Sequence, residues 1–215
     1  MFSGFLPLIL TGLIWTIAVS VASLIVGLLL GVIMALGELS KNKIISVPTF
    51  IVTGILRGLP EIVVLFFCYF GGTIILTNIF GHYVGINAFL AGVISLGIIF
   101  AAYSAQVFRG ALYQVPAGQF AAAHAMGLSK MQTFHKIILP QIMHHAKPGL
   151  GNLWLSLLKD SSLVSLIGLS DTMNNIGLAA SKTHQPFLFY SLAAILYLLL
   201  TSVSKHLFER KTLWI

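Results

Sequence analysis

The chain alternates between long apolar runs and short polar interruptions. Met1 to Gly37, Ile62 to Phe108 and Thr183 to Ser204 contain no Asp, Glu, Lys or Arg, and crossing a bilayer takes roughly 20 apolar residues in a helix. The first run is longer than one span, so its start, "FSGFLPLIL", is expected to lie along the outer interface before a helix crosses over 12–36. The second run divides at "TNIFGHYVGIN", where Asn78, Gly81, Gly85 and Asn87 supply turn chemistry; spans are predicted over 46–76 and 88–108. "PGLGNLWLSLLKDSSLVSLIGL" is apolar but holds Lys159 and Asp160, and predicts a span over 148–170 with ionisable residues part-way along. A last span covers 187–204. The chain therefore reads as an all-α integral membrane protein with five transmembrane helices, one transmembrane domain over 1–215.

Charge gives the pattern a direction. Lys41 and Lys43 follow the first span, Arg109, Lys130, Lys136 and Lys147 lie between the third and fourth, and Lys205, Arg210 and Lys211 form the tail. Basic residues collect on the cytoplasmic side, which puts the N-terminus outside, the C-terminus inside and Lys182 alone outside; Arg57 and Lys159 fall within spans. Composition agrees, with 58% hydrophobic and 8% charged residues, whereas soluble proteins carry about 25% charged residues. The net charge of +7 follows from the loop asymmetry and calls for no nucleic acid. No basic residue precedes Lys41, so the first helix is read as retained and not as a cleaved signal. Cys68 stands alone in an apolar run and reads as packing. The histidines lack helical i, i+4 spacing and carboxylate neighbours, so neither a metal nor another cofactor is expected. With no GxxxxGK[ST] present, any ATP must be bound by another chain.

One segment, "QFAAAHAMGLSKMQTFHKIILPQ" (119–141), is too polar to span. "VPAGQ" places Pro116 and Gly118 at a helix start, "FAAAHAM" is a strong helix former, Gly127 interrupts, and Ser129 is positioned to cap a second helix. Two short helices joined at a glycine turn over 116–140 are expected. They form either an interfacial amphipathic segment or a protrusion whose alanine face admits another protein.

Here the spacing resembles the cytoplasmic loop of the permease subunits of ABC importers, which reads Glu-Ala-Ala, three residues, Gly, nine residues, Ile-x-Leu-Pro. Ala122, Ala123, Gly127, Ile137, Leu139 and Pro140 hold those positions, and Ala121 stands where the family has Glu. "ILRGLPEIVVLFFCYFG", "AAYSAQVFRGALYQVPAGQ", "HAKPGLGNLWLSLLKDSSLVSLIGLSD" and the tail "FERK" resemble the polar amino acid branch, arginine and histidine uptake permeases above all. The resemblance implies a type I ABC importer permease fold in a bacterial inner membrane, non-catalytic, paired with a second permease subunit or a copy of itself. It also implies two cytoplasmic ATPase subunits and an external amino acid binding protein, periplasmic or lipid-anchored. The loop would be the coupling helix, with Ala121, Ala122, Ala123, Gly127, Leu139 and Pro140 as its ATPase-coupling residues.

Carboxylates complete the reading. Glu38, Asp171 and Glu209 are expected to be solvated surface charges. Glu61 and Asp160 fall at bilayer depth, where a charge costs about 2.5 to 3.5 kcal/mol and normally faces a partner or a wet cavity. Arg57 and Glu61 are four apart and either pair on one helix face or border a segment that Gly58 and Pro60 loosen. Asp160 and Lys159 point about 100° apart on a helix, so Asp160 needs a cation from elsewhere. That cation is either a neighbouring helix's Lys or Arg, or the side chain of a basic amino acid in transit, arginine first and histidine and lysine behind. In the second case Arg57 or backbone N–H groups would take the substrate carboxylate and Ser161 would belong to a wet lining. The competing class is a stand-alone secondary transporter or channel subunit for a small cationic solute. Five spans without an internal repeat fit that less well.

Overall fold

The computed structural model describes residues 4–210, with side chains as far as 207; Lys211 and the end of "FERK" lie outside the described residues, as do the side chains of Glu209 and Arg210. Helix α1, Leu6–Glu38, starts earlier than expected: Pro7 at the helix start fixes φ without needing an N–H partner, and Phe5 packs edge-on against Phe189. The segment from Leu6 to Leu10 is therefore helical and continuous with the span, with Ile9 buried near Ile176 and Phe189 and Leu6, Leu8 and Leu10 exposed. Next come α2, Lys43–Gly58, and α3, Glu61–Phe80, which contains a π turn at Phe67–Gly71. Helix α4 is Ala88–Tyr113 and the short α5 is Ala117–Ala125. Helix α6, Lys130–Ile167, is followed across a 55° bend by α7, Thr172–Thr183, and α8 is Pro186–Arg210.

The helix expected over 46–76 is broken. Leu59 and Pro60 are extended, with ψ of 141° and 137°, because proline disfavours helical geometry in the residue before it. Span-length apolar helix begins only at Glu61, and α2 stands apart from it. The second expected short helix of the loop is likewise the start of something longer. α6 runs through Pro140 without interruption, because a π turn over Phe134–Ile138 shifts the hydrogen-bond register where proline supplies no N–H.

Small residues set the arrangement. Helices α1 and α4 run parallel in close contact: a Cβ added at Gly27 would sit 2.9 Å from the Gly97 carbonyl and one at Gly92 3.3 Å from Val19. Helix α6 runs antiparallel to α4, with Gly149 against Val107 and Val164 against Gly92. Val19, Leu65, Leu96, Phe100, Leu157 and Val164 fill the space between them. Such seams let backbones approach where lipid removes the hydrophobic drive for helix association. Gly27→Val should cost about 1–3 kcal/mol by overpacking, read as a lower unfolding midpoint in detergent. Gly110→Ala, with open space around it, should not lower the midpoint, since alanine is the better helix former.

Level marks follow from these contacts. Thr16 of α1 bonds Thr172 at one end of the bundle. At the other, basic end, Glu38 of α1 meets Arg109 of α4. Asp160, on the α6 segment between Gly149 and Val164, falls between these ends.

Candidate functional site

Asp160 occupies a change of helix type. The α-helical part of α6 ends at Asp160, and Ser161–Ile167 tightens into a 3-10 helix that stops at Gly168, φ 83°. Such a change within a helix often marks a functional site. On the other side of the break at Leu59 and Pro60, Glu61 is the first residue of α3. The two carboxylates line one cleft of about 290 Å³ together with Tyr103, Ser156 and the apolar Leu96, Ile99, Phe100, Leu153 and Leu157. That is close to the roughly 300 Å³ lower end of small-molecule pockets. Among the described residues the Lys/Arg–carboxylate pair within 4 Å is Arg109–Glu38; neither Asp160 nor Glu61 takes part in it. The cleft therefore holds two carboxylates, neither within 4 Å of a Lys or Arg among the described residues, while Lys159 beside Asp160 acts on it only through space.

Arg57 and Ser161 are placed differently from the expectation. Arg57 is separated from Glu61 by the break and does not share its helix face: its Nε donates to the Thr53 carbonyl at 3.2 Å and its Nη1 to Gln106. The hydroxyl of Tyr103, a cleft residue, donates to the Arg57 carbonyl at 3.2 Å. Ser161 is fully buried and donates to the Leu158 carbonyl at 2.8 Å, so it lines no cleft.

The loop at the basic end is compact. Gly127 adopts φ +72°, Leu128 N–H bonds the Ala123 carbonyl at 3.1 Å and Gly127 N–H the His124 carbonyl at 3.0 Å. This is a Schellman end for α5, which needs a residue without Cβ strain at Gly127. Ser129 and Gln132 form a reciprocal capping box at the start of α6. Ala123 is buried, whereas Ala121 and Ala122 are exposed together with Phe120, Met126, Met131 and Phe134. The loop is seated on the span ends through Ala111, Val115, Ile138, Ile142 and Ala146. Leu139 is partly buried at the base and Pro140 exposed.

Two carboxylates expected at the surface are inside. The Glu38 side chain is 3% exposed; it accepts from Thr53 Oγ1 at 2.5 Å and from Arg109 Nη1 at 2.8 Å. An acidic residue in the last turn of a helix opposes the helix dipole; that mismatch was the available signal that Glu38 has a cationic partner. Asp171 is fully buried and caps α7, Oδ1 accepting from Asn174 N–H at 3.0 Å. The Ser-Asp-Thr start of a polar helix is a capping signature that points there.

Comparison with known proteins places the fold. The chain is 45% identical to the arginine ABC transporter permease protein ArtQ of Haemophilus influenzae over 95% of this chain and 92% of that one. It is 36% identical to the histidine/lysine/arginine/ornithine transport system permease protein HisQ of Escherichia coli, over 95% and 91%. Its fold matches a chain in the crystal structure of an amino acid ABC transporter with histidines, with a TM-score of 0.88, 30% identity, and coverage of 100% and 97%. A chain of the inward-facing MetNI methionine ABC transporter shares the fold with a TM-score of 0.76 at 19% identity, over 99% and 98%. The type I importer permease fold and the multi-pass inner-membrane location expected from the resemblance follow from these matches. Residues 27–214 match the model of the binding-protein-dependent transport system inner membrane component, and the chain belongs to that family as an amino acid ABC permease.

Proposed function

We propose that the chain carries basic amino acids, arginine foremost, inward as the permease subunit of an importer whose ATP is hydrolysed by a partner ATPase. The observation that supports this is the shared cleft of Asp160 and Glu61, two carboxylates that form no ion pair within 4 Å among the described residues. A guanidinium offers five donors in a planar fork that suits carboxylates; Arg57, which donates to Thr53 and Gln106 and lies outside the cleft lining, is not assigned to the substrate carboxylate. The 45% identical relative is named for arginine, which agrees with the cleft's charge. Ser161 has no part in this binding, because it is fully buried and outside the cleft lining.

Coupling follows from the continuity of α6. The exposed Ala121, Ala122, Met126, Met131 and Phe134 form the surface offered to the ATPase at the cytoplasmic end. Gly127 sets the turn, and Leu139 and Pro140 lie on the same helix that carries Asp160. At about 1.5 Å per residue, a tilt applied near Lys130 is delivered to Asp160 by one rod, which changes its separation from Glu61 on α3. Opening and closing of the cleft are thereby tied to closure of the ATPase pair. A second permease subunit or a copy of this chain completes the path, and an external binding protein delivers the substrate; the N-terminus lies outside and the C-terminus in the cytoplasm.

Reconstitution tests the reading. Proteoliposomes holding the chain with its ATPase and binding protein should accumulate arginine only when ATP is enclosed with the ATPase. Accumulation by the chain alone, without nucleotide, would instead make it a stand-alone transporter.

A further inference from the structure

Helix α2 is fastened in an unusual way. Its one buried residue is Thr53, while Ile44, Ile45, Val47, Phe50, Ile51 and Ile55 are exposed; little apolar packing within the chain holds it. What holds it is polar. Thr53 donates to Glu38 at the end of α1, and Glu38 in turn accepts from Arg109 on α4. The Arg109 guanidinium also lies 5.5 Å from the centre of the Phe50 ring of α2, within cation–π range. One turn further along α2, Arg57 donates to Gln106 of α4 and accepts at its carbonyl from Tyr103. Only Leu59 and Pro60 then separate α2 from Glu61.

We infer that Glu38 and Arg109 are positioning residues for the substrate cleft: by clamping α2 between α1 and α4 they set where α3 begins, and hence where the Glu61 carboxylate stands relative to Asp160. The inference rests on the reading of Glu61 and Asp160 as the cation-binding pair. Three features support it. The Glu38–Arg109 pair is largely withdrawn from solvent, with side chains 3% and 26% exposed, so removing one partner leaves a desolvated charge and the clamp opens rather than being replaced by water. The connection from clamp to cleft is short and stiff, because Pro60 fixes its own φ and biases Leu59 to extended geometry. Tyr103 touches both ends of the relay, lining the cleft while bonding the Arg57 carbonyl.

A double-mutant cycle on the complex purified with its ATPase distinguishes positioning from general support. Arginine affinity of the complex is measured directly, without the external binding protein, for Glu38→Gln, Glu61→Gln and the pair. Glu38→Gln should weaken arginine about tenfold, yet add less than about twofold once Glu61→Gln is present, because coupled residues are non-additive. The swap of Glu38→Arg with Arg109→Glu should recover affinity to within about threefold of the native complex. If Glu38→Gln fails to assemble, Thr53→Val, which removes only the hydroxyl fastening, enters the same cycle with the same expectation. Multiplicative losses in the two backgrounds, or a clamp variant that binds arginine as the native complex does, overturn the positioning role and leave the cleft reading intact. An unaltered affinity in Glu61→Gln alone removes the cleft reading itself.

Discussion

Gly127→Asp is expected to cut ATP-driven arginine uptake by at least about 100-fold while the permease still inserts and folds. The backbone cost is modest: φ at Gly127 is +72°, and aspartate visits that region more readily than most residues, at about 1 kcal/mol. Nothing lies within 4 Å of the Cβ position, so the new side chain meets no neighbour in this chain. It would stand in open space on the loop that also exposes Met126, Met131 and Phe134, where a docked ATPase would have to bury an unpaired carboxylate. Central contacts of an interface are worth 2 kcal/mol or more, and about 2.7 kcal/mol gives the hundredfold loss. Co-purification of the ATPase and its stimulation by loaded binding protein check the outcome. Normal stimulation in this variant would remove the loop from its docking role.

Asp160→Asn is expected to lower arginine transport about 30- to 100-fold with the complex intact. The substitution keeps shape and volume and removes one charge, leaving Glu61 as the only carboxylate in the cleft. Truncating one partner of a desolvated charge pair costs about 2–5 kcal/mol, and the lower half of that range gives the stated loss because Glu61 remains. Uptake of citrulline, which has arginine's length without its charge, should fall less than that of arginine. Parallel measurement of complex yield by gel filtration separates this from a structural role, in which the assembled complex itself would be lost.

The sequence carried the cleft's chemistry better than its geometry. Asp160 and Glu61 stood out because ionisable residues in apolar runs are costly enough to need a reason, and they meet in one cleft. Arg57 and Glu61 share no helix face, because spacing in sequence assumes an unbroken helix and Leu59-Pro60 breaks it. The loop was legible down to the cap at Ser129 and the turn at Gly127, since both rest on local backbone rules. Its second helix was not, because the π turn that lets α6 pass Pro140 is a register shift with no compositional mark. Glu38 and Asp171 were misplaced for a different reason. Each lies beside polar residues in sequence and beside its true partners only in space, Arg109 and Thr53 for the first, the α7 start for the second.

The seam between α1 and α4 also constrains how the chain is made. Its partners, Gly27 against Gly97 and Thr16, Ser20 and Ser23 sealed inside, are separated by two other helical segments that leave the ribosome first. Until α4 is in the bilayer, α1 presents a hydroxyl-bearing stripe to lipid; the bond from Thr16 to Thr172 waits longer still. A chain ending ahead of Ala88 would therefore leave Gly27, Ser20 and Ser23 without the surface that α4 supplies.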